Sequence, residues 1–153
     1  AISVLEGQPH WIERAKCPVV LTPHPGEMAR LFSQEVEQVQ KDRCGVALAA
    51  ARFTHATVVL KGAGTVVAQD GKPLCINMTG NPGMATGGSG DVLSGMLTGL
   101  LGQKLQPFDA ARVAVYLHGK AGDMIVCRKS QAGLVAGDLI EEIPYVFRDV
   151  TLR

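Results

Sequence analysis

The chain has 153 residues, of which 46% are hydrophobic and 19% charged, and its net charge is +1. A chain of this length and composition can form one domain with a real core, which excludes intrinsic disorder. The balanced charge argues against a nucleic acid partner, and no apolar run reaches the length of a membrane span. The four cysteines are widely spaced without a C-x-x-C pair, which indicates reduced thiols and a cytoplasmic protein.

The first half of the chain predicts strands that alternate with helices. An apolar run at 17–21 indicates a buried strand, which two prolines and a glycine then end. We predict a short helix over 27–32 and a longer helix over 33–53, with Ser33 as its N-cap. The continuous β-branched run Thr57–Leu60 is typical of a central strand covered on both faces.

The second half predicts a hairpin followed by helices. Two apolar runs, 65–68 and 74–77, flank Asp70-Gly71, which is a strong hairpin signal. Hydrophobic spacing then predicts helices over 91–101 with Gly102 just past the end, from Pro107 onwards, and from about Val135 to a stop at Pro144. This order of elements indicates an α/β fold with an open, mainly parallel sheet and flanking helices, in a single domain over residues 1–153.

A glycine-rich segment ahead of those helices is the most informative part of the sequence. Residues 79–90, called the glycine loop below, contain five glycines, and Asp91 follows them at the start of a helix. Uncovered backbone N–H groups and the positive end of a helix dipole together bind anions, most often phosphate. A carboxylate repels phosphate, so Asp91 fits this place if it takes a proton from a hydroxyl that attacks the phosphate. The alternative is a plain glycine-rich turn with an acid in the first turn of the helix.

Ligands of open α/β sheets bind beyond the carboxyl ends of the strands, so Thr22–Glu27, Lys61–Thr65 and Asn81–Asp91 are expected to gather at one edge. Lys61 is suited to a phosphate or an adenine-site carbonyl, or is an ordinary solvated lysine. His24 is either a fixed hydrogen-bonding group or a loop residue. For Glu27 a role at the start of a helix is favoured over a place in a magnesium–water shell.

Several motifs resemble those of a known superfamily. Gly-Gly-Ser-Gly-Asp at 87–91, after Asn-Pro-Gly-Met-Ala at 81–85, resembles the ribokinase-like signature, in which a glycine anion hole precedes an aspartate base. Within that superfamily, the segments 22–27, 60–65 and 133–139 resemble the ADP-dependent NAD(P)H-hydrate dehydratases; they read Thr-Pro-His-Pro-Gly-Glu, Leu-Lys-Gly-Ala-Gly-Thr and Gly-Leu-Val-Ala-Gly-Asp-Leu. The similarity runs from about residue 17 to residue 148.

The resemblance implies dehydration of hydrated NADH or NADPH, with ADP or ATP as co-substrate together with Mg²⁺. It makes Asp91 the catalytic base and assigns no residue as a metal ligand. It places the nucleotide at Lys61, Gly62, Ala63, Gly64, Thr65, Asn81, Pro82, Gly83, Met84, Ala85, Thr86, Gly87, Gly88, Ser89 and Gly90. It places the hydrated nicotinamide near His24, Pro25, Gly26, Glu27 and Asp91.

The resemblance also bears on the context of the chain. It implies a homo-oligomer, fused in the full-length protein to an epimerase domain, and a dehydratase domain of which this chain is the C-terminal portion. Kinases of the superfamily usually carry Asn where His24 stands, which favours the repair enzyme. A sugar or vitamin kinase and a non-catalytic nucleotide-binding fragment remain as alternatives.

Overall fold

Strands and helices are unevenly divided along residues 5–151, the part of the chain that the computed structural model describes. The chain divides after Asn77 into two compact units, and the four strands of the described part all belong to the first unit. The strands are β1 (Val20–Leu21), β2 (Thr57–Leu60), β3 (Thr65–Ala68) and β4 (Cys75–Asn77). The helices are α1 (Pro25–Leu31), α2 (Val36–Lys41) and α3 (Arg43–Thr54) in the first unit, and α4 (Ser89–Gly102), α5 (Pro107–Val126) and α6 (Ala136–Thr151) in the second.

The sheet is open, with the strand order β1-β2-β3-β4. β1 pairs with β2 in parallel, whereas β2–β3 and β3–β4 are antiparallel pairs. The predicted α/β class, open sheet and hairpin are confirmed, but the sheet of the described residues is mixed and not mainly parallel. The reason is connection length, because short loops can join only antiparallel neighbours, while the α1–α3 segment supplies the long crossover that a parallel pair needs.

The core of the first unit lies between the sheet and its helices. Val58 and Leu60 of β2 pack with Met28 of α1 and with Ala47 and Ala51 of α3. All four residues of β2 are buried, as predicted for a central strand. Burying one such aliphatic side chain stabilises a fold by about 1.5–3 kcal/mol, so this cluster fixes where β2 ends and where its loop begins.

The helix predicted over 33–53 is in fact two helices, α2 and α3. Ser33 has a left-handed backbone (φ 52°) and does not cap a helix. Glu35 is the N-cap of α2, and Asp42 ends that helix and caps α3 through Oδ1, which accepts the N–H of Gly45 at 2.8 Å. The prediction missed the break because the apolar spacing of the sequence continues across Asp42.

The second unit is helical, and its core joins α5 to α6 through Leu117, Ala121, Leu139 and Val146. α6 was predicted to end at Pro144 but continues to Thr151 with the proline inside it. Pro144 is exposed, so water can reach the carbonyl group that its missing N–H leaves free. None of the helices within residues 5–151 is both long and apolar enough to cross a membrane.

The C-terminus of α4 also differs from expectation. Gly102 is the last helical residue, and Lys104 adopts the left-handed conformation (φ 67°) that was predicted for the glycine. The N–H of Lys104 donates to the carbonyl of Leu101 at 2.8 Å, and that of Leu105 donates to Leu100 at 3.3 Å. These two bonds form a Schellman motif, which closes the helix two residues later than glycine preference alone predicts.

Candidate functional site

His24 and Glu27 build the N-terminus of α1. The Nδ1 atom of His24 accepts the backbone N–H of Glu27 at 3.2 Å, and Oε2 of Glu27 accepts the backbone N–H of His24 at 2.7 Å. The two residues thus form a capping box, and Pro25 supplies the fixed φ that suits the first helical position. The helix-start role favoured for Glu27 is confirmed. Asn is also a good N-cap, so an enzyme with His24 and a kinase with Asn at this position can begin the helix in the same way.

Lys61 meets this helix start at the end of β2. Its Nζ lies 3.6 Å from Oε2 of Glu27, and its backbone N–H donates to the carbonyl of Pro23 at 2.9 Å. Two of the three loops expected at the sheet edge, 22–27 and 61–65, therefore come together, and we call His24, Glu27 and Lys61 the strand-end cluster. Both side chains are partly exposed, and an ion pair that water can reach contributes about 1 kcal/mol or less, so its main effect is to orient the lysine.

Arg43, at the start of α3, was not predicted as part of this site. Its Nη2 donates to the carbonyls of Leu60 at 3.0 Å, Lys61 at 3.3 Å and Gly64 at 3.4 Å. Burial removes water from the guanidinium and lowers the pKa of Arg43. The only signal in the sequence was a lone arginine at the head of an alanine-rich helix. Arg43 holds the loop after β2 in one conformation.

Gly62 has a structural reason to be glycine in the same loop. Its φ is 139°, a conformation that other residues rarely adopt, and a Cβ there would lie 2.8 Å from Nη1 of Arg43. Glycine at position 62 thus leaves room for the guanidinium of Arg43, and this reason for glycine is independent of any ligand.

In the second unit, the glycine loop leads into α4 without a side-chain cap. Gly88 is the N-cap, in a left-handed conformation (φ 86°), and among residues 5–151 no side-chain hydrogen bond caps the helix. Within the described residues, the N–H groups of Gly87, Gly88 and Gly90 donate to no protein acceptor. Asp91 is exposed in the first turn. The donors that an anion would need are therefore available beside the predicted base.

The beginning of the glycine loop is held by α5. Asn81 accepts the N–H of Gly83 on Oδ1 at 3.0 Å and opens a short 3₁₀ turn, Pro82–Met84. Asp123 of α5 accepts hydrogen bonds from both Gly80 and Asn81. Sequence reasoning missed Asp123, because it lies in a long amphipathic helix where an acid carries no special signal.

The end of the glycine loop rests on buried groups. Ser89 and His118 are both buried, with Oγ and Nε2 3.5 Å apart. His118 lies on the buried face of α5 and supports the first residue of α4. A Cβ at Gly88 would lie 3.1 Å from Cβ of Ala136, so the loop also abuts the 133–139 motif.

Metal ligands are not grouped in the described residues. Among residues 5–151, no three His, Cys, Asp or Glu side chains lie together in an arrangement that could hold a metal ion. The approach of residues 81–91 to the strand-end cluster involves both units and stays a prediction.

Similarity to solved structures assigns this open α/β sheet and its glycine loop to the ribokinase-like class. The chain is similar to a solved ribokinase-like superfamily protein from Enterococcus faecalis V583, with 31% identity and a TM-score of 0.73 over 87% of this chain and 46% of that one. Residues 1–145 match the family described as NAD(P)H-hydrate dehydratase. The chain therefore belongs to the NAD(P)H-hydrate dehydratase family, as the motifs predicted.

Two similar proteins carry names that specify an activity. The bifunctional NAD(P)H-hydrate repair enzyme of Moorella thermoacetica is 51% identical over 133 residues, which are 87% of this chain and 25% of that protein. The solved ADP/ATP-dependent NAD(P)H-hydrate dehydratase of Bacillus subtilis, co-crystallized with ATP and Mg²⁺, is 39% identical with a TM-score of 0.83. That match covers 86% of this chain and 48% of the other. The chain thus spans about a quarter to a half of the length of these proteins.

Proposed function

We propose that this chain supplies the phosphate-binding loop and the base of an enzyme that dehydrates hydrated NADH or NADPH at the expense of ADP or ATP. The observation that carries the proposal is the uncapped N-terminus of α4, whose free N–H groups lie directly before the exposed Asp91. Membership of the NAD(P)H-hydrate dehydratase family supports this choice of reaction. Residues 1–153 then form the C-terminal portion of a dehydratase domain.

The chemistry solves the problem of a poor leaving group. The hydroxyl oxygen of the hydrated ring attacks the terminal phosphoryl group of ADP, Asp91 takes the hydroxyl proton, and AMP leaves as the bridging P–O bond breaks. The ring nitrogen then expels phosphate, and loss of a proton from the neighbouring ring carbon restores the double bond. With ATP the nucleotide product is ADP. A positioned base contributes about 10²–10⁴-fold to such a step.

The chain's own residues have distinct roles in this scheme. The N–H groups at Gly87, Gly88 and Gly90 stabilise charge on the transferred phosphoryl group, and the loss of one such donor costs about 10²–10³ in rate. Lys61 and its loop bind the nucleotide, and His24 and Glu27 bind the hydrated nicotinamide. Bound Mg²⁺ would neutralise phosphate charge, and at nucleotide sites its ligands usually include phosphate oxygens and water.

The first test measures recovery of NADH absorbance when the chain is incubated with hydrated NADH and ADP or ATP. The variant Asp91→Asn is expected to lose about 10²-fold or more in turnover while ADP binding is retained or tightened, because the carboxylate that repels phosphate has become neutral. Asp109→Asn, another exposed acid in a first helical turn, is the matched control and is expected to act as wild type. Weak ADP binding in a folded Asp91→Asn chain would contradict the role of Asp91. If the phosphate stays on the acceptor, the enzyme is a kinase and not a dehydratase.

Context and assembly are part of the same proposal. The name of the Moorella thermoacetica relative describes a bifunctional repair enzyme, which supports a full-length protein with an added epimerase domain. We propose a homo-oligomer in the cytoplasm, and sedimentation of the purified chain tests the assembly.

A further inference from the structure

Asp123 lies in the last turn of α5, outside the motifs of the sequence, and it holds the first residues of the glycine loop. Its Oδ2 accepts the backbone N–H of Gly80 at 2.9 Å, and its Oδ1 accepts the side-chain N–H of Asn81 at 3.2 Å. Both carboxylate oxygens are therefore engaged by adjacent residues of one loop. Hydrogen bonds to an ionised acceptor are about twice as strong as neutral ones, so this contact restrains the loop strongly.

Asn81 extends the restraint into the following turn. Because its Nδ2 donates to Asp123, its Oδ1 is left to accept the N–H of Gly83 at 3.0 Å. The hydrogen-bond network thus sets the orientation of the amide. A continuous chain of bonds runs from Asp123 through Asn81 to the 3₁₀ turn that contains Gly83.

Two glycines on the same helix make room for the loop. A Cβ at Gly119 would lie 2.2 Å from Oγ1 of Thr79, and a Cβ at Gly122 would lie 2.3 Å from Sδ of Met84. Thr79 also donates its hydroxyl to the carbonyl of Tyr116 at 3.0 Å. Residues three to four apart share a helix face, so one face of α5 contacts both ends of the segment 79–84.

We infer that Asp123 is a positioning residue, which holds residues 79–84 so that the N–H groups of the glycine loop are preordered for the phosphates of a nucleotide. The choice of a nucleotide as ligand rests on the proposed function, whereas the ordering of the loop does not. Donors that are already in place bind charge better, because no ordering cost remains at the moment of binding.

The test combines amide hydrogen exchange with ADP titration of the 153-residue chain. An asparagine has one acceptor oxygen, so in Asp123→Asn either Gly80 or Asn81 loses its acceptor. We expect the amides of Gly80, Gly83 and Met84 to exchange about tenfold faster, with the rest of α5 unchanged, and ADP affinity to fall about tenfold. Asp109→Asn is the matched control, because Asp109 is exposed near the start of the same helix and contacts Arg112 instead. It is expected to change neither quantity.

A reciprocal exchange separates the pair from a general effect on stability. Asn81→Asp alone places two carboxylates face to face and is expected to loosen the loop. In the double variant Asn81→Asp with Asp123→Asn, the new amide can donate to Asp at 81 and still accept from Gly80, and the second oxygen at 81 accepts from Gly83. Exchange protection at Gly80 and Gly83 is therefore expected to return, and this variant carries the test if Asp123→Asn does not fold.

Each result decides the inference. Wild-type protection of residues 80–84 in Asp123→Asn, an equal loss of protection throughout α5, or no recovery in the double variant would each overturn it. If the wild-type chain binds no ADP, the proposed function fails, while the exchange data still decide whether Asp123 orders the loop.

Discussion

At the scale of single residues, the glycines of one loop have different reasons to be glycine. Gly80 and Gly88 have φ of 106° and 86°, and a Cβ at Gly83 would lie 2.6 Å from the carbonyl oxygen of Gln131. Gly87 has neither constraint, because its φ lies outside the left-handed region and no atom of the described residues lies within 4 Å of the place a Cβ would take. The fold therefore gives no reason for glycine at position 87, whereas the proposed function gives one, which is room for the nucleotide.

Gly87→Ala is expected to separate folding from binding. The free energy of unfolding should stay equal or rise by about 0.4–1 kcal/mol, since alanine restricts the unfolded chain. ADP affinity should fall about tenfold or more, because the new methyl group covers backbone donors. Thermal unfolding and calorimetric titration measure the two effects.

Gly95→Ala is the control for this variant, because Gly95 lies in α4 and a Cβ there would meet no atom of residues 5–151 within 4 Å. It should stabilise the helix by about 1 kcal/mol and leave ADP binding unchanged. Unchanged ADP affinity in Gly87→Ala would remove Gly87 from the binding site.

At the scale of elements, the N-terminus of α6 depends on one carboxylate. Asp138 accepts a hydrogen bond from Nζ of Lys129 at 2.6 Å and from the backbone N–H of Val135 at 2.9 Å. Both hydrogen bonds lower the pKa of Asp138, and the one from Lys129 has the larger effect. A carboxyl group whose pKa is lower in the folded state stabilises the fold at pH values above its ordinary pKa of about 3.9. This stabilisation is lost as the pH falls through the pKa of the folded state.

Asp138→Asn is therefore expected to lower stability at neutral pH and to reduce the loss of stability below about pH 4. Urea unfolding at a series of pH values between neutrality and strong acid measures both. Lys129→Gln is the companion variant, because it removes the larger cause of the lowered pKa and keeps the Val135 bond. It should move the acid-induced loss to higher pH, and acid curves identical to wild type in both variants would contradict the assignment.

The ends of helices were predicted from the sequence less accurately than the other features of the elements. Asp42 both ends α2 and caps α3, and Lys104 occupies the left-handed position that glycine was expected to take. Such ends depend on where the chain must turn to keep packing, and this is set by contacts distant in sequence. By contrast, β2 and the hairpin β3–β4 were predicted at or near their observed bounds, because β-branched runs and Asp-Gly act locally.

At the scale of the whole molecule, nucleotide binding is expected to raise the free energy of unfolding. A ligand that binds only the folded state at 100 times its Kd adds about 2.7 kcal/mol. For a chain of this size that corresponds to a rise in Tm of roughly 5–10 °C. Thermal unfolding with ADP, with adenosine as the matched ligand that lacks phosphates, measures this, and the rise is expected with ADP alone. Equal Tm values with and without saturating ADP would contradict nucleotide binding by this chain.

The sequence by itself determined the family, the α/β class, the buried central strand, the hairpin and the place of the glycine loop before a helix. These features depend on local patterns, namely hydrophobic period, turn residues and contiguous motifs. Only the tertiary structure showed that Arg43 donates hydrogen bonds to carbonyls at the end of β2 and just after it, and that Asp123 accepts hydrogen bonds from Gly80 and Asn81. Their partners lie 17 and about 42 residues away along the chain. A hydrogen bond over that separation leaves no periodic trace in the sequence, so it becomes visible only when the folded backbone brings donor and acceptor together.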